Sequence, residues 1–344
     1  MSKTEQILGI LREELRTGRY KAGTKFPSEQ KLVMRFNAAR TTINKVTAQL
    51  ASEGFIERGV QGSGTRVREP SPFPIGQLAY LGSISHAYYA RMINGIQRTA
   101  FLKDHAVSFF SPGQDQIFDC LEKIRHSNFR GLLVTNIGVI PDPFPIPVVY
   151  LDNAFPADRR VKASVTCTNY QGAYDMAEAV IAHGHREILI ASSLENFGLS
   201  REERIRGFLD ALNKHGIPIT GKRVFRQSIG SPASTRFLLR DAMKQYPETT
   251  VIMCDSDNVV MLLYQAMQDI QLPHPVALTG FGNLASAGEL LRLPSVEQHP
   301  EEIGAQGVNE LLRMITDPEY VSPGRIEIET ELVNLDKLPW AGRN

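Results

Sequence analysis

The stretch ARTTINKVTAQL, Ala39 to Leu50, carries apolar residues at Ile43, Val46 and Leu50, the i, i+3, i+7 spacing of one helical face. Its opening is at odds with that spacing. Arg40, Thr41, Thr42, Asn44 and Lys45 bring two β-branched hydroxyls and two cations to the front, where better helix formers would serve stability. Such a start gives up helix propensity for presentation, because N-terminal amides favour anions and short polar or cationic side chains reach outward from the first turn. Upstream, Ile7, Leu8, Leu11 and Leu15 predict an amphipathic helix from Lys3 to Thr17, stopped by Gly18. Ser28 caps a second helix with Leu32, Val33 and Phe36 on one face, broken at Asn37. Downstream, FIERGVQGSGTRV reads as two short strands around a glycine-rich tip. Three short helices and a Gly-tipped hairpin on a basic segment predict a winged helix-turn-helix. Its third helix would enter the major groove of double-stranded DNA, and its wing would lie along the backbone or minor groove.

Charge divides the chain in the same way. Residues 1 to 70 hold thirteen Lys and Arg against seven Asp and Glu, and the rest of the 344 residues hold twenty-five against thirty. A front of +6 on a body of −5 implies that only the front meets a polyanion. EPSPFPIG, Glu69 to Gly76, has three prolines and no periodicity. It sets the expected organisation: a DNA-binding domain over 1–68, a linker over 69–75 and a large domain over 76–344. In that large domain the apolar runs IGQLAYLG, HAVSFF, FRGLLVTN, PVVYLDN, EILIASS, TTVIMCDSD and PVALTGFGN alternate with amphipathic segments. The alternation predicts an α/β fold of right-handed βαβ units with parallel sheets, long enough for two lobes and a cleft between them. Cys120, Cys167 and Cys254 stand far apart without CxxC spacing, which argues against a disulfide framework or zinc cluster and for a reducing, cytoplasmic setting. No apolar run approaches the roughly 18 residues a membrane span needs. His183 and His185 flank Gly184 as a helix-to-strand turn rather than a metal site, and no nucleophile elbow, phosphate loop or dinucleotide fingerprint is present.

The front segment from Ile7 to Val67 resembles the DNA-binding domain of the GntR family, through FPSEQKL, ARTTINKVTAQL and EGFIERGVQGSGTRV in order. The resemblance and the chemistry together assign DNA contacts. Arg40 would read a base edge, with guanine O6 and N7 as its bidentate partner. Thr41 and Thr42 would meet phosphate or a thymine methyl, Asn44 would read adenine, and Lys45 would contact phosphate. Ser28 and Gln30 fall in the FPSEQKL segment, and Gln61, Gly62, Ser63 and Thr65 in the wing. Ala39 stands where the family places a Ser or Thr cap, Gln30 where it usually has Arg, and Asn44 and Lys45 also depart, so an operator of this chain's own is expected.

From Ile75 to about Val333 the chain resembles the effector-binding domain of the LacI/GalR family, which is akin to periplasmic sugar-binding proteins. HAYYARMINGI, PVVYLDN, NYQGAYDMAEAVIAHGHREILIA, REERIRGFLDAL, CDSDNVVMLLYQAM, VALTGFGN and LPSVEQHPEEIGAQGVNELL carry it. A GntR-type head on such a body is the architecture of arabinose-repressor-like regulators. The resemblance implies ligand contacts at Tyr88, Tyr89, Asp152, Arg204 and Asp257, with Ser256 and Asn283 at positions where this chain departs from common sugar binders. Arg201 and Arg206 beside Arg204 offer extra positive charge to an acidic carbohydrate. The implied protein is no enzyme and needs no cofactor. It is a homodimeric, ligand-responsive regulator, expected to repress carbohydrate-utilisation genes, whose operator affinity changes with a small sugar-like effector in the cleft. The alternative is a sugar-binding or sugar-modifying protein whose DNA head is secondary.

Overall fold

The computed structural model describes residues 3–58, 64–68, 73–141, 143–153, 160–192, 199–217, 219, 223–226, 231–284 and 291–342. The chain divides into two compact units, Met1–Ile75 and Gly76–Asn344. In the first, α1 (Lys3–Arg16), α2 (Glu29–Phe36) and α3 (Arg40–Ser52) precede an antiparallel pair, β1 (Ile56–Arg58) and β2 (Thr65–Val67). The apolar stripes meet as anticipated. Leu11, Leu32, Ile43, Val46 and Leu50 are fully buried, with Ile7, Leu8, Phe26, Ile56 and Val67 around them. Ser28 Oγ accepts from Lys31 N at 3.4 Å to cap α2, and Asn37 ends it in the left-handed region at φ 44°. That reversal lets α3 begin three residues later. Ion pairs bind the helices to one another: Glu14 takes Arg35 and Arg19, while Arg12 Nε donates to Glu53 Oε2 at 2.8 Å.

The second unit is built on two parallel sheets. Its first lobe contains β3 (Gly76–Leu81), α4 (Ala87–Leu102), β4 (His105–Phe110), α5 (Ile117–Arg125), β5 (Gly131–Thr135), β6 (Val148–Leu151) and β7 (Ser164–Cys167). The second begins with α6 (Asn169–Ala182) and β8 (Ile188–Ser192), and continues through α7 (Ser200–Lys214), β9 (Val224–Arg226), α8 (Pro232–Gln245), β10 (Val251–Cys254), α9 (Asp257–Asp269) and β11 (Ala277–Thr279). Then β12 (Ser295–Glu297) leads into α10 (Pro300–Thr316), β13 (Arg325–Ile328) and β14 (Glu331–Val333). Strand order is β13-β7-β6-β5-β3-β4 in the first sheet and β11-β10-β8-β9 in the second. Every described pairing within both sheets is parallel. Because β5, β8 and β10 are covered on both faces, they are apolar runs rather than alternating ones.

The chain crosses between lobes after β7, again from β12 into α10, and a third time from β13 to β14, which pairs with β12. Close packing at the helices needs glycine. A Cβ on Gly95 of α4 would lie 2.0 Å from the Glu301 carbonyl oxygen of α10, and one on Gly304 would lie 2.3 Å from that of Met92. Among the described residues no helix is long and apolar enough to cross a membrane. Gly→Ala in an unstrained helix stabilises by about 0.4–1 kcal/mol. At Gly95 the sign should reverse, with Gly95→Ala destabilising the large unit by about 1–3 kcal/mol through overpacking, read as a lowered thermal midpoint.

Candidate functional site

In the first unit the residues singled out on α3 face solvent. The Arg40 side chain is 81% exposed, with its Nε 3.8 Å from Glu29 Oε2. Thr41, Asn44 and Lys45 are exposed, as are Ser28 and Gln30, while Thr42 and Thr65 are half-buried. Gln61, Gly62 and Ser63 lie outside the described residues. Ala39 offers α3 no side-chain cap, and its first turn holds no acid. Cations at the positive end of a helix dipole are mildly unfavourable, by about 0.3–1 kcal/mol each. The same arrangement becomes favourable against a polyanion, where dipole, free amides and side chains act with one sign.

In the second unit the carboxyl ends of the strands converge on one buried cation. Arg204, on the first turn of α7, is 6% exposed. Its Nε donates to Asn169 Oδ1 at 2.7 Å, its Nη1 donates to the Asp255 carbonyl at 2.9 Å, and its guanidinium lies 4.0 Å from the Phe281 ring centroid. Arg201, three residues earlier, donates to Asp255 Oδ2 at 3.3 Å. Asp255 is fully buried and also accepts from Ser192 Oγ at 2.5 Å and Ser256 Oγ at 3.2 Å.

Asp152 closes the other side. It follows β6 in the left-handed region at φ 57°, pinned by its amide donating to the Val165 carbonyl at 2.8 Å and its carbonyl accepting from Ser200 Oγ at 3.1 Å. Its Oδ1 is buried and meets no hydrogen-bond partner among the described residues. Burial pushes the Asp152 carboxyl above the usual carboxylate range, with Arg204 and the Tyr88 hydroxyl pulling it back. Tyr88 and Tyr89 stack edge to face, with ring centroids 5.5 Å apart. Gln298 Nε2 donates to the Tyr88 hydroxyl at 3.3 Å and to Cys167 Sγ at 3.4 Å. Burial holds the Cys167 thiol neutral by pushing it up to about 12.

Of the expected ligand contacts, Tyr88, Tyr89, Asp152 and Arg204 fall together. Asp257 does different work: its Oδ2 accepts from Leu284 N at 2.7 Å and its Oδ1 from Ser295 Oγ at 2.8 Å, clamping the turn after β11 to β12. The carboxylate that meets the arginines is Asp255. Ser256 stands at the N-cap position of α9, where its hydroxyl donates to Asp255 rather than capping the helix, while Asn283 Nδ2 donates to Glu297 Oε2 at 2.7 Å. Arg206 lies over the Tyr170 ring, 4.9 Å from its centroid, on the exposed side of α7. Asp255, Asn169 and Gln298 escaped the sequence reading. The first stands two residues from Asp257, and nothing in the spacing says which of the two faces the cleft. The histidines sit at the α6-to-β8 turn, where His185 Nε2 donates to the Pro339 carbonyl at 2.9 Å and Nδ1 lies 2.9 Å from Thr250 Oγ1.

A family model described as periplasmic binding proteins and sugar binding domain of LacI family matches residues 78–334, and one described as bacterial regulatory proteins, gntR family, matches residues 3–67. The arabinose metabolism transcriptional repressor of Geobacillus stearothermophilus is 24% identical over 344 aligned residues, covering 92% of each chain. A probable HTH-type transcriptional repressor, ExuR of Bacillus subtilis, is 26% identical over 270 residues, covering 74% of this chain and 77% of its own. In fold, the solved complex of the transcriptional regulator CelR with cellobiose superposes with a TM-score of 0.65 at 18% identity, covering 86% of this chain and 90% of that one.

The two neighbouring aspartates separate experimentally. Asp257→Ala strands the Leu284 amide and the Ser295 hydroxyl in the interior, a loss of about 1–3 kcal/mol for each, and should lower the thermal midpoint of the large unit with no ligand present.

Proposed function

Because the chain belongs to the family of periplasmic binding proteins and LacI-type sugar-binding domains and carries a GntR-type head, and so is a ligand-responsive transcriptional regulator, we propose that it represses carbohydrate-utilisation genes. In this reading it binds a palindromic operator as a homodimer, and a small polyhydroxylated effector in the cleft changes its operator affinity. The observation that carries the effector class is the buried Asp152 Oδ1, which has no partner among the described residues and is an acceptor opposite Arg204 and beside two aromatic rings. A sugar supplies what that arrangement lacks: a hydroxyl donor for Asp152 and a C–H face for Tyr88 or Tyr89. The relatives' names support the class, one from arabinose metabolism and one solved with cellobiose. The arginines do not single out an acid, since Arg201 is engaged by Asp255 and Arg206 faces outward.

On the DNA side, Arg40 is assigned to a base edge, Thr41, Thr42 and Lys45 to phosphate or methyl contacts, and Asn44 to a second base, with Ser28, Gln30 and the wing residues Gln61, Gly62, Ser63 and Thr65 along the backbone. Arg40 is too exposed to matter for folding. Arg40→Ala should therefore keep the thermal midpoint and cost about 1–3 kcal/mol of specific binding to an operator selected from random duplexes. Lys45→Ala should weaken binding to all sequences and lower the salt slope by about 1; lost affinity at an unchanged slope would rule out its phosphate contact.

A thermal-shift screen of sugars and sugar acids tests the effector class, because a ligand at 100 times its Kd stabilises the folded chain by about 2.7 kcal/mol. At least one polyol should raise the midpoint and change operator affinity; a ligand that shifts the midpoint and leaves operator affinity unchanged would break the coupling. The Asp152 contact adds a pH signature. A hydroxyl donor favours the ionised carboxylate, so affinity is full above the raised Asp152 pKa and falls as pH drops through it. Asp152→Asn should bind more weakly and lose that dependence.

A further inference from the structure

The first turn of α7 reaches both lobes. Arg201 and Arg204 turn to Asp255 and Asn169, Ser200 Oγ donates to the Asp152 carbonyl of the first lobe, and Glu203 faces away from all of these. Glu203 receives Arg325 of β13, with Nη1 to Oε1 at 2.6 Å and Nη2 to Oε2 at 2.8 Å. The lobes differ. Strand β13 is the edge of the six-stranded sheet, while α7 packs against α6 and belongs with the four-stranded sheet. Arg325 is steadied from its own strand by Glu327, with Nη2 2.7 Å from Oε1. Its backbone is fixed where the preceding Gly324 carbonyl accepts from Ser164 N at 2.7 Å.

We infer that the Glu203–Arg325 pair is an inter-lobe latch, and that both are positioning residues that hold the first turn of α7, and with it Arg201 and Arg204, in the arrangement that meets the effector. Partly exposed ion pairs add little to folding stability, and the side chains here are 14% and 35% exposed. A bidentate carboxylate–guanidinium contact is nonetheless strongly directional. Between bodies joined by the crossovers and by a few polar contacts such as Ser200 to Asp152, directionality acts on orientation. When the latch opens, the guanidinium of Arg204 moves with the second lobe while Asp152 stays with the first, and the fraction of binding-competent molecules falls. Apparent effector affinity falls by the same fraction. The inference deepens the regulator reading in that consequence, and its test needs neither effector nor operator, so either can fail alone.

The test is a distance measurement between lobes of the full chain. Nitroxides are placed at the exposed positions Glu319→Cys in the first lobe and Lys244→Cys in the second, in a Cys120→Ser background, since Cys167 and Cys254 are buried. Excess unlabelled chain removes distances between copies. Glu203→Gln and Arg325→Gln should each move weight to longer distances at an unchanged thermal midpoint, and the double variant should be no more open than either alone. Arg325→Lys, which keeps the charge without the fork, should fall between. Coinciding distributions in all variants, or opening in the double variant by the sum of the singles, would overturn the latch.

Discussion

A guanidinium taken out of water must be compensated where it lies, and the geometry of the large unit follows from meeting that demand at Arg204. Desolvating such an ion costs several kcal/mol unless it is paired and hydrogen-bonded, even after relaxation. Its partners come from four places: Asn169 just after β7, the Asp255 carbonyl just after β10, the Phe281 ring after β11, and the Asp152 carboxylate after β6. None is near another in sequence, and they belong to both sheets. They can converge only if the strands of both lobes run with their carboxyl ends toward one cleft, which parallel βαβ winding provides. Asp152 and Arg204 thus face each other across the crossovers, and one Asp152 oxygen is unsatisfied among the described residues. An unsatisfied buried acceptor is costly to a folded protein, and a ligand donor removes that cost.

The head inverts this logic. In the cleft nearly every charge is matched, whereas α3 offers Arg40 and Lys45 from an uncapped helix start without an acid in its first turn. Glu29 lies 3.8 Å from Arg40, while Glu14 is spent on Arg35 and Arg19 and Glu53 on Arg12. Those pairs hold α1 against its neighbours and leave the exposed face of α3 to a partner from outside.

The same contrast explains what could be read from the residues alone. The recognition helix is legible because its outward residues face solvent, so their oddity shows against the Ile43, Val46 and Leu50 stripe. Strands β5, β8 and β10 were legible because burial on both faces writes an apolar run. Strand β7, SVTC, is as deeply buried but is not legible, since Ser164 and Thr166 look like loop residues until their partners are known: the Gly324 carbonyl for one and Asn169 Nδ2 for the other. Asp255 and Asp257 were inseparable for a related reason. One lies at the end of β10 and the other begins α9, and which faces the arginines depends on the turn between strand and helix. Arg206 looked like a cleft residue from its neighbours, yet helical geometry carries it to the outer side, onto Tyr170.

What remains is how a cleft can speak to DNA at all. A ligand shifts a conformational equilibrium only through different affinities for the two states, and the coupling runs equally in both directions. The cleft has the ingredients for such a difference, because its acceptor and its principal cation sit on opposite sides of the crossovers. In the proposed reading a ligand spanning Asp152 and Arg204 would bind only when the lobes present both at once, whereas one touching either alone would bind and change nothing. The close glycine contacts of α4 with α10 make the first lobe and the returning helix one packed body, so rotation at the crossovers moves that body as a unit rather than dissipating within it. The first lobe is also the one that begins at Gly76, where the second compact unit starts in the chain. In the proposed regulator, that lobe is the one through which a change in lobe orientation would be passed on to the head.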